Sequence, residues 1–390
     1  MESFKTLFRK NLSQYAMLIA LVFIMGLFQI LTNGILLVPM NVTNLVLQNA
    51  YVFILAIGMT LCILTGGNID LSAGSVVAFI GALSGTFIIT LKMGVGVSLL
   101  LALAIGIAIG VWQGFWIAYV RIPAFIVTLA GGLVFRGFTL FILKGLTLGP
   151  FPESFQRISS GFVFDVLGRP KGALNGTALI VGTAAAILYV AAQLRRRASQ
   201  RKSGFELSAK PVFAAQIALI TAAIMAITVW FARYKGLPVI FVIIGVLILA
   251  YSFFTMRTVP GRYLYAMGGN EKAAKLSGIN TNKVLFLAYV NMGALAAVAG
   301  VAFTSRLNAA SPQSGLNFEL DAIASCFIGG ASAYGGVGTV IGAIIGALVM
   351  GVLNNGMSIL GIGSDIQQIV KGLVLLAAVA FDVMSKKKAH

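Results

Sequence analysis

Few side chains in this chain are suited to covalent chemistry, and their positions argue against catalysis. The single histidine is His390, and both cysteines, Cys62 and Cys326, lie inside apolar stretches. No Ser/His/Asp or Cys/His set and no cluster of metal-ligand residues can be assembled from these positions. The sequence therefore predicts a protein that is not an enzyme and that holds neither a metal nor a cofactor of its own.

The ten acidic residues fall almost entirely at the ends of apolar segments. Asp70, beside Ser72, precedes a small-residue segment and is expected to cap its helix. Glu319 or Asp321 would cap a later helix in the same way. Proton coupling through Asp70 is the alternative, but a proton relay usually contains several intramembrane acids. The acids therefore favour structural roles over ion coupling.

Arg136 lies in the middle of the apolar stretch 129–140, where a charge costs at least about 2.5 kcal/mol on insertion scales. It should face water or the interior of a helix bundle. Either it belongs to a pathway or gate, or carbonyls at a helix break satisfy it. Intrahelical amides have the same two interpretations, because they meet ligands or bond neighbouring helices. The candidate pathway or gate residues are Asp70, Ser72, Arg136, Asn354 and Asn355.

The most informative polar stretch between apolar segments is 260–280. Asn270 can cap a short helix, Glu271 is favourable in its first turn, and Gly278 can end it in the left-handed conformation. A capped helix between two membrane crossings is suited to docking on a partner. A well-formed loop with no partner is the alternative interpretation.

The elements that position these residues are apolar. The chain is 59% hydrophobic and 10% charged, with a mean hydropathy of +0.99, which excludes a soluble globular fold. Because a bilayer core about 30 Å thick takes roughly 20 apolar residues per helix, the sequence predicts an all-α polytopic membrane protein. About twelve transmembrane helices are expected, at 14–36, 47–65, 72–91, 94–120, 123–143, 173–194, 212–231, 237–254, 283–304, 319–333, 337–357 and 366–383.

The basic residues behind the net charge of +18 lie at the ends of apolar segments and are not gathered into a nucleic-acid-binding domain. We therefore interpret them as signals for the orientation of the protein in the membrane. The positive-inside rule then predicts that both termini are cytoplasmic. The residues placed inside are Lys5, Arg9, Lys10, Arg121, Arg195 to Arg197, Arg201, Lys202, Arg257, Arg262, Lys272, Lys275 and Lys386 to Lys388. The rule holds only as a bias, since the same topology leaves outside Lys144, Arg157, Arg169, Lys171, Arg233 and Lys235.

Two stretches of the chain resemble each other. Residues 62–77 resemble 326–341, and each is followed by Gly-Ala-Leu. Because transporters often contain duplicated units with glycine-interrupted helices, we interpret the pair as an internal pseudo-repeat, with chance similarity as the alternative. The crossing at 319–333 is short and ends in glycine, so a half-helix is its alternative.

The chain has no phosphate-cradling G-x-x-x-x-G-K-[ST] loop, so a transporter built on it draws energy from elsewhere. Four segments, 67–75, 122–137, 268–279 and 319–330, carry a family resemblance that covers nearly the whole chain. The sequence resembles permease subunits of bacterial ATP-binding-cassette (ABC) importers of the ribose, xylose and galactose type. Most such permeases look like ten-helix proteins, so the pair at about 173–231 is extra, and the longer chain resembles the xylose or multiple-monosaccharide branch.

The resemblance implies one transmembrane permease domain over 1–390, with a type II-like ABC importer core, in the bacterial inner membrane. Its partners would be a second permease copy, a sugar-type ATPase that binds ATP and Mg²⁺, and an extracytoplasmic monosaccharide-binding protein. The cargo would be a monosaccharide such as xylose, arabinose or galactose. An ion-coupled secondary sugar transporter is the alternative. The resemblance makes 255–282 the ATPase-coupling segment, with Gly269, Asn270, Glu271, Ala273, Ala274, Ser277 and Gly278 as coupling residues.

Overall fold

The computed structural model of the protein describes residues 12–168, 173–204 and 209–387. Several residues of the charge argument lie outside these ranges, as does His390: Lys5, Arg9, Lys10, Arg169, Lys171 and Lys388. The described part of the chain forms fifteen α-helices: α1 Leu12–Leu31, α2 Pro39–Leu64, α3 Ala73–Gly85, α4 Val95–Ala118, α5 Ala124–Leu143, α6 Glu153–Ser160, α7 Gly176–Lys202, α8 Lys210–Ala232, α9 Val239–Arg257, α10 Val259–Gly269, α11 Glu271–Leu276, α12 Thr281–Leu307, α13 Phe318–Ile328, α14 Val340–Ile359 and α15 Ser364–Lys387.

Ten of the helices in the described ranges are long and apolar enough to cross a membrane. They are preceded by a shorter apolar helical stretch, Met17–Leu31, which is part of α1. Helix α3 reaches the required length by continuing into a π-helical turn, Thr86–Thr90. The prediction of an all-α polytopic membrane protein is therefore confirmed.

The predicted crossing at 319–333 is wrong as a full span. Its helix, α13, has 11 residues, which is about 16 Å at 1.5 Å per residue and only half of a bilayer core. It ends at Ile328, and Gly330, two residues later, adopts φ +82°, a conformation that a continuing right-handed helix excludes. The half-helix alternative describes this segment.

The chain divides into two compact units, of which the larger comprises residues 1–36, 45–160 and 240–390. Helix α2 is its most deeply buried span. Helices α4 and α12 approach to backbone contact, since a Cβ added at Gly293 would lie 2.3 Å from the carbonyl oxygen of Gly106. Small residues permit such contacts in lipid, where packing drives helix association.

The glycine-rich breaks of the pseudo-repeat meet within this unit. A Cβ added at Gly67 would lie 2.0 Å from the carbonyl oxygen of Ala333, and one at Gly335 would lie 2.4 Å from the Cα of Gly66. Gly67 adopts φ +74°, which favours glycine. We name residues 65–72 and 329–339 the two repeat breaks. The two breaks are therefore in backbone contact, and the pseudo-repeat stays a prediction.

The smaller unit comprises residues 37–44 and 161–239 and contains the predicted extra pair as helices α7 and α8. Asn175 caps α7 by accepting a hydrogen bond from the Ala178 amide at 2.9 Å. Helix α7 continues past the predicted crossing at 173–194 through the basic run as far as Lys202, because arginine, glutamine and lysine favour helix. A single domain over 1–390 stays a prediction.

Candidate coupling site

The segment predicted to dock on a partner folds as two short helices, α10 and α11. Thr258 caps α10 by accepting from the Gly261 amide at 3.1 Å, and Asn270 caps α11 by accepting from the Ala273 amide at 3.0 Å. Gly278 follows α11 with φ +84°. The local expectations for Asn270 and Gly278 are therefore confirmed, while α10 was not foreseen as a separate helix.

Helix α11 presents a small and partly apolar surface. Ala274 is the buried anchor of this helix, and its other predicted coupling residues, Ala273 and Ser277, are exposed. Leu276 is 90% exposed. Because water penalises an isolated apolar side chain held in this way, the position suits insertion into a partner's groove.

An ion pair attaches α11 to the loop between α4 and α5. Arg121 Nη1 donates to Glu271 Oε1 at 2.8 Å, and both side chains are 43% exposed. Arg121 also donates to Asn282, at the start of α12. The hydrogen bond from Arg121 is the main cause that lowers the pKa of Glu271. The loop and the coupling segment, both predicted to be cytoplasmic, therefore lie at the same end of the larger unit.

Helix α10 rests directly on the end of α2 and on the repeat break at 329–339. A Cβ added at Gly268 would lie 1.8 Å from the carbonyl oxygen of Leu64 and 2.4 Å from the amide nitrogen of Gly336. The Gly336 amide donates to that same carbonyl at 3.1 Å, and the Tyr265 hydroxyl donates to the carbonyl of Gly338 at 2.9 Å. No side chain separates these backbones, so α10 is in close-packed backbone contact with the end of α2 and with the break at 329–339.

Asp70 and Ser72, two predicted pathway residues, belong to a buried polar chain at the start of α3. Asp70 Oδ1 accepts from the Ser72 amide at 2.8 Å and from the Ser72 hydroxyl at 2.6 Å. Gln113 Nε2 donates to the same hydroxyl oxygen at 2.6 Å. Asp70 therefore bonds Ser72, the residue that precedes α3, and is not itself the N-cap residue of this helix. A pathway role for the two residues stays a prediction.

Arg136 is held by carbonyl groups, as one of its two interpretations expected. Its Nη1 donates to the carbonyl oxygens of Pro312 at 2.9 Å and Ser314 at 2.7 Å. Both acceptors belong to the irregular segment between α12 and α13. Arg136 therefore fixes this segment against α5, and its role as a gate stays a prediction.

The remaining pathway candidates, Asn354 and Asn355, lie in α14 but have different surroundings. Asn355 is 3% exposed, and its amide lies 3.4 Å from Gln48 Oε1, to which it donates. Asn354 Oδ1 is buried and has no hydrogen-bond partner among the described residues. Interhelical bonding thus accounts for Asn355, and a pathway role for either asparagine stays a prediction.

Sequence reasoning missed a buried ion pair beside α13. Asp321 was expected to cap this helix, but its carboxylate accepts from Tyr51 Oη at 2.9 Å and pairs with Lys371 Nζ at 3.0 Å. The carboxylate bonds these distant residues and not the amides of its own helix because it is only 3% exposed and they lie within bonding distance. Lys371, a charge within the apolar helix α15, was the signal that could have revealed the pair.

A family model described as "Branched-chain amino acid transport system / permease component" matches residues 41–379. The chain belongs to this permease family. Like the other permease components, it is a transport subunit and not an enzyme. The match covers every residue of the predicted coupling and pathway sets.

Individual permeases of the family are similar over nearly the full chain. The xylose transport system permease protein of Haemophilus influenzae is 39% identical over 97% of this chain and 98% of its own length. The corresponding Escherichia coli K12 permease is 37% identical over 97% and 94%. The ribose import permease of E. coli K12 is 34% identical over 88% and 85%. No solved structure is significantly similar to this permease.

Proposed function

We propose that this permease is the membrane subunit of an ABC importer for monosaccharides, with a separate ATPase supplying the energy. The observation that carries the proposal is the full-length similarity to permeases of xylose and ribose transport systems. The coupling segment supports it, because Leu276 is exposed while Gly268 rests on the end of α2 and on the repeat break at 329–339. The ion-coupled alternative is not favoured by this similarity.

The geometry gives a route from the ATPase to the bundle. Closure of the ATPase pair would move α11 through Leu276, and α10 would follow because only Asn270 separates the two helices. The contacts of Gly268 then pass the shift to the end of α2 and, through Gly336, to the repeat break from which α14 begins. Helix shifts of about 1–2 Å are sufficient to switch packed interfaces between two arrangements, as alternating access requires.

The protein is a multi-pass protein of the inner membrane, and the proposal fixes its orientation. If α11 docks on a cytoplasmic ATPase, α15 also ends in the cytoplasm, because Asp382 near its end accepts from the amide of Ala333 in a repeat break at 3.3 Å. Helix α2 ends with Leu64 at the coupling end. Because consecutive crossings run in opposite directions, α1 then begins at that same end. Both termini are then cytoplasmic, as the charge bias predicts.

The complete importer requires partners that lie outside this chain. We propose a second permease copy, a sugar-type ATPase that binds ATP and Mg²⁺, and an extracytoplasmic binding protein that delivers the sugar. The cargo is a monosaccharide such as xylose, arabinose, galactose or ribose. Selection among these sugars falls mainly to the binding protein, so the permease residues do not identify one of them.

Reconstitution with an ATPase and a sugar-binding protein from the same host tests the proposal. We expect ATP-dependent uptake of D-xylose or D-ribose into proteoliposomes, and loss of both uptake and ATPase co-purification in Leu276→Asp, because the charge opposes insertion into an apolar groove. Leu146→Asp, at a leucine that is 67% exposed beyond the opposite end of α5, is the matched control. Sugar uptake driven by an ion gradient without nucleotide would instead establish the ion-coupled carrier.

A further inference from the structure

A polar recess with a volume of about 540 Å³ lies between α13 and α15. This volume falls within the range of about 300–1,000 Å³ typical of small-molecule sites. Its polar lining comes from Asn317, Asp321, Ser364, Gln367, Gln368 and Lys371. None of the predicted coupling or pathway residues contributes to it.

The recess lies inside the apolar layer. Lys371 is seven positions beyond Ser364, the first residue of α15, and is therefore about 10 Å along that helix. It meets Asp321 in the first turn of α13, a half-helix that begins within the bundle. Charged and amide side chains at this depth are costly against lipid and generally face a protein interior or a water-filled path.

The charged pair leaves bonding capacity on the recess side. Asp321 is only 3% exposed and is bound by Lys371 and Tyr51. Lys371 keeps 24% of its side chain exposed. Its ammonium has three donors, of which one bonds Asp321 Oδ2 at 3.2 Å, while Oδ1 lies 3.0 Å from the nitrogen as an ion pair. A donor and the exposed amide of Gln368 therefore remain available to an occupant.

We propose that this recess binds the monosaccharide while it crosses the permease, an inference that rests on the proposed function. Sugar hydroxyls both donate and accept hydrogen bonds, which suits an ammonium beside neutral amides. Leu316 and Leu320, 54% and 41% exposed, line the same recess and offer apolar contact to the C–H face of the ring.

Filling the recess tests the inference directly. Gly372 lines it, and a Cβ added there meets no atom within 4 Å, so Gly372→Trp occupies the recess without a backbone clash. Gly245→Trp in α9, where a Cβ also meets nothing within 4 Å, is the matched control. In proteoliposomes with the ATPase and binding protein, we expect uptake of ¹⁴C-labelled D-xylose and D-ribose to fall at least tenfold in Gly372→Trp while ATP hydrolysis stays within twofold.

A milder variant keeps the test decisive if the tryptophan prevents insertion. Gln368→Leu removes one exposed amide, and we expect a several-fold loss of uptake per ATP hydrolysed, with Gln216→Leu in α8 unchanged. Normal uptake in both recess variants would overturn the inference while leaving the importer intact. Loss of assembly with the ATPase would also overturn it, because the recess would then be an interface. Absence of ATP-dependent uptake by the parent permease would overturn the proposed function itself.

Discussion

A single methyl group at Gly268 is expected to separate ATP hydrolysis from sugar transport. The Cβ of Gly268→Ala would lie 1.8 Å from the carbonyl oxygen of Leu64, whereas ordinary contacts begin at 3.4 Å. Helix α10 must therefore move away by about 1.6 Å, the difference between the two distances. Helix shifts of about 1–2 Å accompany allosteric transitions, so this displacement is as large as the motion that α10 is proposed to transmit.

The neighbouring glycine provides the matched control. A Cβ at Gly269 meets no atom within 4 Å, and replacing glycine by alanine near a helix end is otherwise neutral or stabilising by up to about 1 kcal/mol. Both variants lie in the same turn and carry the same methyl group. Any difference between them comes from the contact with Leu64 and Gly336.

The assay measures sugar taken up and ATP hydrolysed in the same proteoliposomes. We expect Gly269→Ala to match the parent, and Gly268→Ala to lower the number of sugars transported per ATP at least tenfold while it still binds the ATPase, since Leu276 is unchanged. Equal ratios in the two variants would refute the transmission route through the contact at Gly268. Loss of ATPase binding in Gly268→Ala would refute the separation of docking from transmission.

Two ion pairs give predictions that thermal unfolding in detergent can check. Because pairing with Arg121 lowers the pKa of Glu271, the pair stabilises the folded protein above the ordinary pKa of 4.5, and this stabilisation is lost as pH falls through the lowered pKa. The pair is exposed, so Glu271→Gln should lower the free energy of unfolding by about 0.2–1 kcal/mol at pH 7 and leave it unchanged in strong acid. An equal cost at both pH values would contradict this. Lys371→Met leaves the buried Asp321 carboxylate without its cation and should cost about 3 kcal/mol, most of which a second change, Asp321→Leu, should restore; additive losses would count against the pairing.

The sequence was sufficient where the determining contacts are local. The side chain of Asn270 bonds an amide three residues ahead, and the conformation of Gly278 depends on its own φ, so spacing and residue type predict both. Apolar length likewise predicts most helices. It overestimates 319–333, because hydropathy does not distinguish a span from a half-helix followed by a glycine-rich break. The glycine φ values that end α13 are set by tertiary packing.

Contacts between residues that lie far apart in the sequence could not be predicted from local spacing and residue type. Arg121 and Glu271 are 150 positions apart, and Lys371 and Asp321 are 50 apart. Charge bias assigned the first pair to one membrane side without pairing them. In the second pair, Asp321 lies in the first turn of α13, where an acidic residue is readily explained as a cap. This local explanation concealed its pairing with Lys371. The charged residue within α15 was the evidence against that local explanation.

The two kinds of contact around the coupling segment suit different tasks. The pair of Arg121 with Glu271 is exposed and screened, so it orients α11 at little energetic cost and would yield readily to the proposed docking of Leu276 on an ATPase. The contact at Gly268 joins backbone to backbone, and close-packed atoms cannot absorb a displacement as long side chains do. In the proposed mechanism, the ion pair beside α11 can therefore adjust to a partner, whereas the backbone contact at Gly268 is rigid. A larger residue at Gly268 would clash with Leu64 and Gly336, so this close backbone contact, through which we propose that motion passes, requires glycine.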